Sequence, residues 1–243
     1  MSELIDENGL RLDGRKVDEL RPITIKAGVL NEADGSAFIH WGGNKIVVGV
    51  YGPRPCIPRH EANPYKAIIK ARYMMAPFCS KEERGRTGPT RRSIEISKVI
   101  REAFEHVVLT RLYPKTEIDI FIEVLQAHGG TRTAAITAAT VALIDAGIPL
   151  KDMVAAVSVG KIDGRVVVDL SKEEDNYGQG DMPVAMTHRT KEVVLLQMDG
   201  LFTREEFKQG LSMAEKALDY IHELQVKAVK EKYEEMSENV LKL

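Results

Sequence analysis

Two carboxylates, Asp175 and Asp181, stand close together in Glu173-Glu174-Asp175-Asn176-Tyr177-Gly178-Gln179-Gly180-Asp181-Met182-Pro183. The glycines between them let a loop fold back so that both acids face one point. Such a pair can hold Mg²⁺ through oxygen ligands, or one member can act as a general acid while the other orients it. An acidic, glycine-containing loop also serves as a plain solvated segment. The pair alone does not decide.

A second candidate is Gly129-Gly130-Thr131-Arg132-Thr133, read as a strand-to-helix turn. A helix N-terminus presents unpaired N–H groups and partial positive charge, and glycine lets an anion approach the backbone closely. Thr131 and Arg132 would add hydroxyl and guanidinium donors. The same residues equally suit a tight turn into a core helix, and no lysine follows at P-loop spacing. A third candidate is the acid-free stretch 84–92, with Arg84, Arg86, Arg91 and Arg92. Arginine suits bidentate phosphate contacts, so this cluster can hold a single-stranded backbone; it can also be a solvated loop beside Glu82 and Glu83. Arg91 and Arg92 are favoured because a helix should follow and fix them. Lys66 and Arg72, read as lying on the preceding strand, could extend the patch. His128 suits a general base or a hydrogen-bonded structural role, and Trp41 a core or interface position.

Hydrophobic periodicity predicts the elements that must position these groups. Alternating, β-branched runs at 22–30, 36–41, 45–51 and 66–76 read as an antiparallel meander. Ile96, Val99, Ile100, Ala103 and Val107 recur at helical spacing, which predicts a helix over 93–109. A strand at 117–126 leads into 131–146, so rich in Ala, Ile, Val and Thr that it should be buried nearly all round. Hairpins follow at 153–160 with 165–170, turned by Asp163-Gly164, and at 183–188 with 192–198. Thr203 and Glu206 have capping-box spacing at the start of a last helix, which runs into a charged, exposed tail. This order predicts an α+β domain with helices packed on mixed sheets, and no linker divides it.

At 243 residues and 44% hydrophobic, the chain can build a sizeable core without staples. A net charge of −2 gives no overall basic excess, so any nucleic-acid affinity must be local. Cys56 and Cys79 belong to no metal or redox motif and read as ordinary thiols. No apolar run approaches the roughly 20 residues that span a bilayer, and the N-terminus lacks signal-peptide character, so a cytoplasmic location is expected.

Four ordered motifs carry a resemblance. Arg11-Leu12-Asp13-Gly14-Arg15 with Leu20-Arg21-Pro22, Arg91-Arg92 leading into Ile94-Glu95, the stretch 126–134, and the stretch 175–183 resemble the RNase PH family of phosphate-dependent exoribonucleases. Within that family they are similar to the branch that supplies the catalytic subunit of the archaeal exosome. The resemblance implies the RNase PH fold, related to the second domain of ribosomal protein S5. It spans residues 1–243 as a single domain, with an N-terminal extension at 1–20 and a C-terminal helix and charged tail at 203–243.

The resemblance further implies 3′→5′ degradation of single-stranded RNA by inorganic phosphate as co-substrate, releasing nucleoside diphosphates and reversible to RNA tailing. Asp181 matches the catalytic acid and Asp175 its companion, with Mg²⁺ between them. Gly130, Thr131 and Arg132 match the phosphate seat. Arg91 and Arg92 match the pair that holds the RNA 3′ end and the phosphate, and Lys66 falls near a basic position at the RNA entrance. The implied partners are an inactive RNase PH-like paralogue, alternating with this chain in a hexameric ring of three heterodimers, and caps with S1 or KH domains. Rival readings are a homohexamer that trims tRNA 3′ ends and a non-catalytic RNA-binding ring subunit.

Overall fold

A computed structural model describes residues 4–81 and 88–241, with side chains as far as residue 238. An inward-facing apolar residue at every second position drives the first sheet. Ala37, Ile39 and Trp41 of β2 (Gly35–Trp41) point inward with Ile46, Val48 and Val50 of β3 (Asn44–Pro55), because side chains on a strand repeat with a period of two. With β1 (Ile23–Ala27) these strands form the expected antiparallel meander. The next strand, β4 (Ile68–Met75), leaves it, and the meander reading is corrected there. β4 lies at the far edge, parallel to β5 (Thr116–Gln126), and β5 pairs antiparallel with β3. Parallel neighbours cannot be joined by a hairpin, so the chain crosses over through α1 (Arg91–Val107). Ile96, Ile100, Phe104 and Val107 bury its inner face, and it packs on β4. The helix starts two residues before the expected Ser93 because Thr90 caps it reciprocally with Ser93.

The helix α2 (Thr131–Asp145) is buried almost all round, as its composition predicts. It lies between the first sheet, against β2 and β3, and the second, against β6 (Val154–Ile162). That second sheet pairs β6 antiparallel with β7 (Arg165–Val168) and with β8 (Gly180–Thr187). β9 (Val193–Leu196) and the two-residue β10 (Asp199–Gly200) both pair with β8. Between β7 and β8 the chain forms a short helix, α3 (Lys172–Tyr177), where a loop is expected. Ser171 and Glu174 cap it reciprocally, with the Ser171 N–H donating to Glu174 at 2.7 Å.

The last helix, α4 (Arg204–Leu241), opens on the expected Thr203 and Glu206 capping box. It stays helical through the charged segment expected to be a tail, which holds no Gly or Pro and carries an i,i+4 pair from Lys227 to Glu231. A continuous apolar cluster joins both sheets with α1, α2 and α4.

Candidate active site

The start of α2 sets one wall of the site. Gly129 and Gly130 have φ of +77° and +67°, values in which a side chain is strained, and Gly130 is the helix N-cap without a capping side chain. A Cβ on Gly129 would stand 2.6 Å from the Ser171 carbonyl carbon, so only glycine lets this turn pack against the chain entering α3. Thr131 is buried, and its hydroxyl accepts from the Tyr73 hydroxyl at 2.8 Å. Arg132 reaches out beside it and donates to the Gln197 side-chain oxygen. Its guanidinium also lies 3.5 Å from Glu95, which accepts from Gln197 at 2.9 Å.

The opposite wall carries the carboxylates. Asp175 projects from α3 and Asp181 from the start of β8, and both line one cavity of about 520 Å³ together with Arg92, Glu95, Arg132, Gln197 and Asp199. A smaller recess at its inner end is lined by Gly130, Thr131 and Ser158 as well as by both acids. Asp181 Oδ1 is buried with no hydrogen-bond partner among the described residues. Burial, and then the charge of Asp175, push the Asp181 carboxyl up to about 7; Arg132 and Arg92 pull the other way, and Asp199 adds to the rise. Near neutrality the group therefore exchanges a proton readily.

The two halves of the chain each match a family model: residues 19–149 match "3′ exoribonuclease family, domain 1" and residues 152–217 match "domain 2". The chain belongs to the RNase PH family. Relatives of this family that it resembles include the exosome complex component Rrp41 of Pyrococcus furiosus. That protein is 56% identical over 238 residues, covering 98% of this chain and 95% of that one. Rrp41 of Thermoplasma volcanium is 56% identical over 231 residues, covering 95% and 93%. Among solved structures, a chain of the Archaeoglobus fulgidus exosome with RNA bound to the active site superposes with a TM-score of 0.76 at 25% identity, covering 89% of this chain and 92% of that one. Rice Rrp46 superposes with a TM-score of 0.80 at 24% identity, over 90% and 100%, which shows the shared fold.

In this RNase PH chain the structure gathers Asp175, Asp181, Gly130, Thr131, Arg132 and Arg92 around one cavity. Arg91 is exposed on the first turn of α1, outside the cavity lining. Lys66 is also exposed and precedes β4 instead of lying on it. Arg72 is on β4, but its neighbour Tyr73 is the residue that turns inward to Thr131; successive strand residues face opposite ways, so Arg72 points from the other face. Arg84 and Arg86 lie outside the described residues. His128 sits behind the turn, 3.7 Å from Glu173.

Sequence reading missed Glu95, Gln197 and Asp199. Glu95 was findable, since it follows Arg92 by three helical positions and so shares its face. Asp199 was not, because it reaches the site only through its register opposite Asp181 across the β8–β10 pair.

Proposed function

We propose that the chain is the catalytic subunit of an archaeal exosome-like complex that shortens single-stranded RNA from its 3′ end with inorganic phosphate. One observation carries the reading: an anion seat at a helix N-terminus, with Thr131 and Arg132, shares a cavity with a carboxyl group poised near neutrality. A phosphate oxygen attacks the terminal phosphodiester phosphorus in line, the P–O3′ bond breaks, and a nucleoside diphosphate leaves RNA one nucleotide shorter. Two anions must meet for this. The α2 N-terminus and Arg132 hold the incoming phosphate, Arg92 meets the scissile group, and Asp181 supplies a proton to the departing 3′ oxygen. The bond formed resembles the bond broken, so excess diphosphate drives the site backwards and adds tails.

Asp175 and an ionised Asp181 are also an oxygen pair of the kind Mg²⁺ accepts, and the unpartnered Oδ1 of Asp181 fits a cation; with the ion held there, Asp181 would position the metal in place of donating the proton. Mg²⁺ bound there would neutralise charge on the phosphoryl oxygens.

The assembly is read as a hexameric ring in which this chain alternates with an inactive RNase PH-like paralogue, capped by S1 or KH domain proteins, in the cytoplasm. The relatives' description as exosome components supports membership of a multi-subunit assembly. Among the described residues no helix is long and apolar enough to cross a membrane. The test compares wild type with Asp181→Asn on end-labelled RNA, with and without phosphate. Shortening that needs both phosphate and Asp181 is expected; shortening indifferent to either contradicts the reading.

A further inference from the structure

The Arg11 to Arg21 segment supplied only a resemblance in the sequence, and Arg11 and Arg15 precede the residues that match the family models. In the fold it forms a buried lattice behind the cavity. Its centre is Asp169, held at φ +61° between β7 and α3 and 1% exposed. Arg21 clasps Asp169 with two guanidinium nitrogens, at 3.0 and 2.6 Å, and with its own N–H at 2.7 Å. The Trp41 indole N–H donates to the same carboxylate at 3.0 Å. Burial would raise the Asp169 carboxyl, and Arg21 with these donors more than reverses that, holding it below the usual range.

Locked in this way, the Arg21 guanidinium extends to the turn of the anion seat and donates to the carbonyls of His128 at 2.5 Å and Gly129 at 3.3 Å. Asn44, fully buried, grips the turn from the start of β3. Its amide donates to the Gly129 carbonyl at 2.6 Å and its oxygen accepts from the His128 N–H at 2.6 Å. A peptide unit is planar and trans, so fixing these carbonyls fixes the N–H groups of Gly129 and Gly130 on the opposite side. Arg11 does the corresponding work for the other wall. It donates to both oxygens of Glu174, at 2.7 and 2.5 Å, and to the carbonyls of Val168 and Asp169. Glu174 caps α3, and the next residue is Asp175.

We propose that this lattice is the positioning frame of the reaction, with Arg21 and Asn44 setting the phosphate seat and Arg11 setting Asp175. The proposal rests on the phosphate-dependent reading above. A frame made only for stability would be felt in melting; a positioning frame is felt in one kinetic constant at a time. We expect Arg21→Lys and Asn44→Ser, assayed in the complete assembly well below their melting midpoints, to raise KM for phosphate about tenfold while kcat and RNA affinity change little. Arg11→Lys should instead lower kcat about tenfold and leave KM for phosphate near the wild-type value. Calorimetric titration of inorganic phosphate without RNA should weaken for the first two variants and not for the third. Variants that melt lower but keep wild-type constants overturn the proposal. If Arg21→Lys fails to fold, Asn44→Ser decides alone, since it removes an uncharged grip on the same turn. Wild type that neither binds nor uses phosphate refutes the functional reading itself; wild type that does both, beside variants that do so equally well, refutes only this inference.

Discussion

A carboxyl group held near neutrality can give up a proton to a leaving oxygen and can also, once ionised, attract a cation. Asp181 is in that position because burial and Asp175 raise it while Arg132 and Arg92 keep the rise within reach of neutral pH. The same shift sets a stability signature. The folded group keeps its proton up to about 7 and the unfolded group loses it near 3.8. Folding stability therefore falls as pH rises between those values, by on the order of a few kcal/mol at most. Asp181→Asn, which mimics the protonated form, should gain melting temperature over wild type from pH 5 to pH 8. Its phosphate-dependent activity should meanwhile fall by about 10²-fold or more. Equal melting profiles across that range would show that the site does not strain Asp181. Glu95 gives a second test at this scale. It and Gln197 occupy Arg132 where an anion would sit, so Glu95→Gln should lower KM for phosphate, as read by initial rates against phosphate concentration.

Among the elements, the turn between β5 and α2 constrains the site most tightly. Gly129→Ala meets the backbone of Ser171 and Leu170 within 2.8 Å and would need a left-handed residue with a side chain. Neither contact can yield by rotating a side chain. We expect a loss of about 1–3 kcal/mol in chemical denaturation and a larger fractional loss of phosphate-dependent turnover. The strands were legible in sequence because alternation repeats locally, and α2 because an all-round apolar segment has few other places to go. Pairing partners were less so. Nothing within 66–76 says that β4 joins β5 in parallel, since that register is fixed by the α1 crossover. The helix under Asp175 was legible and passed over: Ser171-Lys172-Glu173-Glu174 is a capping-box signature, hidden by the acidic loop reading. The cavity itself joins α1 and α2 to the adjacent α3 and β8, three segments far apart in the chain. Motif order found most of its side chains, while Asp199 and Gln197 needed the sheet.

For the whole molecule, the proposed ring makes a prediction about assembly. Co-expression with the paralogue should convert this chain into a six-membered species by light scattering, and the chain alone should not form a stable hexamer. A stable, active homohexamer would favour the tRNA-trimming alternative. In the proposed reaction the attacking oxygen belongs to phosphate and not to water. The most direct test of this is the identity of the mononucleotide released when the complete assembly degrades uniformly labelled single-stranded RNA with Mg²⁺ and inorganic phosphate. Nucleoside diphosphates that vanish when phosphate is withheld are predicted; nucleoside monophosphates, released with or without phosphate, would contradict it.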